Sequence, residues 1–180
     1  MLKHILLAAL LSALPLAGQA RAESAPPQIP ELSGYFLDGD RVSIPADLTE
    51  PLTLLVITHE DPGSEAFESW RSVAASLEGE LPVVFVVLLG ERGGIDRAVT
   101  AGRLRGSVRD PALRASMVPV FQEASELRMK LGIGWGAPVI ALLVTETGEV
   151  VWHQSGSAGE VSQTDIRSRL ARAPEPVQGR

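Results

Sequence analysis

The chain has 180 residues, 45% of them hydrophobic and 21% charged, with 22 acidic residues against 16 basic ones and no cysteine. That length suits one domain with a sizeable core and is too short for two ordinary ones. The net charge of −6 argues against nucleic acid and anionic lipid as main partners, and the missing cysteine excludes thiol redox chemistry, cysteine-ligated metals and cysteine nucleophiles.

The chain opens with Lys3 and His4, a run over residues 5–17 that is apolar but for Ser12, and then Ala20-Arg21-Ala22. A basic start, a short apolar core and small residues at the two positions a signal peptidase reads predict a secretory signal, residues 1–22, cleaved after Ala22. The run is short of the ~20 residues a spanning helix needs, and no cysteine follows it to carry a lipid. No later segment is long and apolar enough to span a membrane, so the expected location is periplasmic or secreted. Removing Lys3 and Arg21 leaves 14 basic residues against 22 acidic ones, which deepens the net charge to −8.

Residues 23–31 contain three prolines and, apart from Ile29, no large apolar side chain, which predicts a flexible leader. A domain over residues 32–171 follows. Tyr35-Phe36-Leu37 and Arg41-Val42-Ser43-Ile44, either side of Asp38-Gly39-Asp40, predict a hairpin. Residues 52–58 are an unbroken apolar and β-branched run, the pattern of a strand buried on both faces. After the polar turn at residues 59–64 the apolar period lengthens. Ala66, Phe67, Trp70, Val73, Ala74 and Leu77 recur at helical spacing, with Trp70 inward. Residues 83–89 carry no polar side chain and predict a central parallel strand.

Ile95, Ala98, Val99 and Leu104 form a weak helical stripe over residues 95–105, weakened by Gly102. Residues 111–116 suit a turn of helix. Residues 117–121 suit a short strand, placed at a sheet edge or bulge because Pro119 cannot donate to a ladder. A helix over residues 123–131 is stopped by Gly132 and Gly134. Residues 139–145 and 149–154 form a second hairpin. The last helix, residues 160–171, is predicted with Val161, Ile166 and Leu170 inward, and residues 172–180 form a polar, flexible tail.

The order hairpin, strand, helix, strand, helical insert, short strand, helix, hairpin, helix, together with its residues, resembles the thioredoxin-like fold in its redoxin form: TlpA-like thioredoxins, peroxiredoxins and Sco-type copper proteins. The resemblance covers roughly residues 32–171. YFLDGDRVSIPADL looks like that family's opening hairpin. EASELRMKLGIGWGAPVIALLVTETGEVVWHQSG looks like its later helix, glycine, proline and hairpin. The resemblance implies an α/β architecture with a central mixed sheet flanked by helices. It also implies a site in the turn after the first long strand, where open α/β sheets place their ligands. Where the family carries Cys-x-x-Cys this chain has Asp61-Pro62-Gly63-Ser64. It therefore resembles a cysteine-less, exported member without thiol–disulfide oxidoreductase or peroxidase activity.

Two further expectations follow from the resemblance. The turn residues His59, Asp61, Pro62, Gly63 and Ser64, with Trp135, Ala137 and Pro138 of the loop before the hairpin, would form one surface that binds an exported protein or extended peptide. Ala137–Pro138 would be cis and leave an open backbone edge beside the turn. The residues themselves also allow a bland reading, in which Asp61 caps the helix with Pro62 at its first position. The alternative function is a metal carrier or non-thiol enzyme using His59, Asp61 and Ser64. Against it, consecutive strand-end residues point in different directions, Sco-type copper sites need two cysteines, and Ser64 lacks a Gly-x-Ser-x-Gly elbow. His153, beside Trp152, is distant in sequence. No catalytic residue, cofactor or metal is expected.

Overall fold

The computed structural model describes residues 26–59, 62–132 and 137–172; the expected signal, Asp61, Trp135 and most of the expected tail lie outside them. β1 (Leu32–Tyr35) and β2 (Arg41–Ile44) pair antiparallel as a two-stranded ribbon. β3 (Leu52–Thr58), α1 (Glu65–Ser76) and β4 (Val83–Leu88) follow, then α2 (Gly94–Ser107), α3 (Pro111–Ser116), β5 (Met117–Val120) and α4 (Ala124–Leu131). The hairpin β6 (Val139–Thr145) and β7 (Val150–Ser155) and the helix α5 (Glu160–Leu170) complete the fold. The main sheet runs β5-β4-β3-β6-β7. β3, β4 and β5 are parallel, and β6 lies antiparallel to both β3 and β7.

All seven residues of β3 are buried, because the strand is paired on both edges and covered on both faces. Leu54 and Val56 point to one face, into a core with Phe67, Trp70, Phe85, Met117 and Ile166. Leu55 and Ile57 point to the other, with Val86, Leu127, Ile140, Leu142 and the ribbon residues Leu32 and Ile44. Alternate burial of an uninterrupted apolar run is what a two-sided α/β sheet demands. Pro119 sits in β5, at the sheet edge, as its missing donor requires.

Four expectations need correction. The first strand begins at Leu32, and Phe36 and Leu37 belong to the turn, where Phe36 N–H donates to Asp40 O at 2.8 Å. The reason is a long-range contact: a Cβ at Gly34 would lie 2.6 Å from Val118 Cγ1 and 2.8 Å from Pro119 O, so β1 passes over β5 where only glycine fits. The expected flexible leader is partly docked. Ile29 is buried, Ile29 N–H donates to Gly148 O at 2.9 Å, and Val150 N–H donates to Pro27 O at 2.8 Å; its one large apolar residue draws it onto the β6–β7 turn. In α5 Val161 is 74% exposed, while Ser162 and Ile166 turn inward. Ser162 Oγ accepts from Gly159 N–H at 3.0 Å, and that cap rotates Val161 outward. In α2 Ile95 and Val99 are exposed, and Leu104 is the large apolar residue that meets the core.

Trp70 is fully buried, its Nε1–H donates to Gly156 O at 2.8 Å, and Trp152 packs edge-on at 6.2 Å between ring centroids. It thereby ties α1 to the loop after β7. Trp70→Ala should destabilise the domain by about 3–5 kcal/mol in chemical denaturation. A loss below about 1 kcal/mol, the size of an ordinary surface change, would contradict this packing.

Candidate functional site

β3 delivers His59, exposed, at its carboxyl end. Pro62 and Gly63 form the turn and Ser64 is the N-cap of α1, with φ −66° and ψ 148°. Ser64 Oγ accepts from Phe67 N–H at 3.4 Å, and Glu65 and Glu68 lie in the first turn, where negative charge suits the helix dipole. The helix thus starts at Glu65, and the expected capping role of Asp61 falls to Ser64. Serine is a preferred cap because its oxygen satisfies a donor the first turn leaves open.

The loop before β6 meets the end of β3. Thr58 pairs with Val139, and Thr58 Oγ1 donates to Pro138 O at 3.2 Å. The structure therefore brings His59, Ala137 and Pro138 together beside the turn that holds Pro62, Gly63 and Ser64. Gly63 is exposed; Pro62, Ser64, Ala137 and Pro138 are half-buried.

The group that joins these parts escapes the sequence reading. Arg128 of α4 is 5% exposed. Its Nη2 donates to the Ala137 carbonyl and lies 3.1 Å from His59 Nδ1. A guanidinium has no acceptor, so in this bond His59 Nδ1 accepts. Among the described residues no carboxylate forms an ion pair with Arg128. A buried charge is costly unless hydrogen-bonded, and here a carbonyl and an imidazole supply the bonds. The signal was present in the sequence: Ala124, Leu127, Arg128 and Leu131 recur at i, i+3, i+4, i+7, so the arginine occupies a position on the inward stripe of its helix.

Two expectations change here. Among the described residues the cis peptide bond is Ile44–Pro45, and Ala137–Pro138 is not cis. The backbone edge expected to be open is also occupied: the Ala137 carbonyl is taken by Arg128 and the Pro138 carbonyl by Thr58. With both carbonyls held from within the domain, the loop joins β6 without the cis bend.

Two residues of the alternative reading, His59 and Ser64, are engaged within the domain, and the third, Asp61, lies outside the described residues. A metal at His59 Nδ1 would displace a bond to a cation and sit against that cation. Among the described residues no group of three or more His, Asp or Glu side chains is placed to hold a metal ion. Ser64 Oγ is engaged as a helix cap and His59 Nδ1 bonds Arg128; among the described residues no hydrogen bond joins His59 to Ser64.

No protein-family model and no curated protein matches the sequence. Solved structures do. A thioredoxin that is an exposed lipoprotein of Streptococcus pneumoniae strain TIGR4 superposes with a TM-score of 0.55 at 14% identity, over 79% of this chain and 99% of that one. A thiol-disulfide oxidoreductase from Bacteroides fragilis gives 0.50 at 16%, over 79% and 98%. Arabidopsis thaliana ScoI, with copper bound, gives 0.52 at 13%, over 79% and 97%. The chain has the thioredoxin-like fold: a mixed five-stranded sheet flanked by helices, preceded by a β-hairpin. The turn between β3 and α1 carries no cysteine.

Arg128→Met keeps most of the apolar stem and removes both hydrogen bonds. It should cost about 1–3 kcal/mol, the penalty for stranding the Ala137 carbonyl, measured by denaturant titration. Unchanged or increased stability would show that the carbonyl does not depend on this donor.

Proposed function

We propose that the protein is an exported, non-redox thioredoxin-like binding module. It holds an extended segment of another exported protein on the surface formed by His59, Asp61, Pro62, Gly63, Ser64, Trp135, Ala137 and Pro138. The observation that carries this reading is the site itself. The fold's ligand-facing end is retained, with an exposed histidine, an exposed glycine and half-buried prolines, while its chemistry is gone. In place of a thiol stands a cation buried at the base, bonded to the protein's own backbone. Residues that cannot react but are held rigidly in place suit recognition better than turnover. Because the Ala137 and Pro138 carbonyls are engaged internally, recognition falls to side-chain surfaces and to the solvent-facing His59 ring rather than to strand addition at that edge. Export rests on the signal-like residues 1–22, and the exposed lipoprotein among the structural neighbours is consistent with it.

One sample tests both halves. Protein recovered from the exported fraction should have an intact mass placing its N-terminus at or within a few residues of Glu23. On titration with an unfolded polypeptide, such as reduced and carboxymethylated α-lactalbumin, backbone amide shifts should move at His59, Gly63, Ser64 and Ala137. Shifts confined to another face, or none at millimolar probe, would contradict the binding reading. Retention of Met1 on a cytoplasmic protein would contradict export.

A further inference from the structure

α2 is a helix of 14 residues with none buried. It meets the domain along one line: Leu104 and Ala101 are half-buried, and Arg97 lies over the Phe121 ring, 5.4 Å from its centroid. On the opposite side Ile95, Val99, Gly102 and Gly106 recur at i, i+4, i+7 and i+11, a single straight stripe on a helix of 3.6 residues per turn. Ile95 is 83% exposed and Val99 48%. A Cβ at Gly102 or Gly106 would meet nothing within 4 Å. Neither glycine has a positive φ. Nothing among the described residues therefore calls for glycine at two interior helix positions, where it weakens the helix.

We infer that this stripe is the contact face for a second copy of the chain, with the two α2 helices packed antiparallel about a two-fold axis. The large residues occupy the first half of the stripe and the glycines the second. An antiparallel pair centred between Val99 and Gly102 sets Ile95 against Gly106 of the second copy and Val99 against Gly102. Each bulky side chain then enters a gap left by a missing one, and the backbones approach closely. The charges fit the same register. Asp96 and Arg103 lie on one flank of the stripe, and among the described residues neither forms an ion pair within its own chain. In a two-fold antiparallel pair like flanks meet, so Asp96 faces Arg103 of the second copy, twice. The helix dipoles oppose each other, which is also favourable. One helix pair covers less than the ~1,200 Å² typical of stable interfaces, so the dimer is weak and concentration-dependent.

The test is sedimentation equilibrium on the mature protein over a wide concentration range, with far-UV circular dichroism confirming that each variant is folded. The wild type should pass from one chain to two as concentration rises. Asp96→Arg and Arg103→Asp should each raise the dissociation constant about tenfold or more by setting like charges face to face. The double variant should return it to within about threefold of wild type. Gly106→Leu, which has open space in the monomer, should abolish association by filling the gap Ile95 enters. A wild type that stays monomeric, charge variants that dimerise undiminished, or a double variant that remains weakened would each overturn the proposal.

Discussion

Everything at the functional end of this domain depends on the burial of β3. The strand is apolar or β-branched throughout Leu52–Thr58, hydrogen-bonded to β4 on one edge and β6 on the other, and covered by a core on each face. A strand held on four sides has no freedom of register, since a one-residue slip would exchange its two faces. The first residue beyond it, His59, therefore emerges at the carboxyl end of a strand with a defined register. The α1 stripe of Phe67, Trp70 and Val73 closes one face, and Trp70 extends the constraint to the loop after β7 through its bond to Gly156. The scaffold is rigid where the site is built.

Onto that scaffold the chain places a buried guanidinium. Arg128 comes from α4, the carbonyl it holds comes from the loop before β6, and the imidazole it meets comes from the end of β3. The end of β3 is thereby tied to the α4–β6 segment, 69 residues on in the chain, through a single Nη2 group. The same bonds occupy His59 Nδ1 and the Ala137 carbonyl that an added strand would use.

The sequence made the buried framework legible because its signals are local. The apolar run of β3, the helical stripe of α1, the polar-free β4 and the edge position implied by Pro119 all depend on residues close together in the chain. The misplaced features depend on contacts made across it. β1 starts at Leu32 because Gly34 crosses β5. Ile29 docks because the β6–β7 turn offers it a surface. Periodicity shows that α2 and α5 have apolar faces but not which positions the domain will cover, so Val161, expected inward, stands outward, as do Ile95 and Val99 of the weak α2 stripe. A cis Ala137–Pro138 bond is what the resemblance implies, and no local signal in the sequence decides it. Arg128 escapes a local reading because a charged residue in a helix is ordinarily solvated, although its place between Leu127 and Leu131 marks it as inward-facing.

The candidate site is held together by a cation bonded to an imidazole and a carbonyl. The most direct measurement is the 15N resonance of the His59 ring at neutral pH. The bond from Arg128 requires Nδ1 to be an acceptor, so Nδ1 should resonate as an unprotonated, pyridine-type nitrogen and shift in Arg128→Met. A protonated Nδ1, or one indifferent to the substitution, would contradict the account.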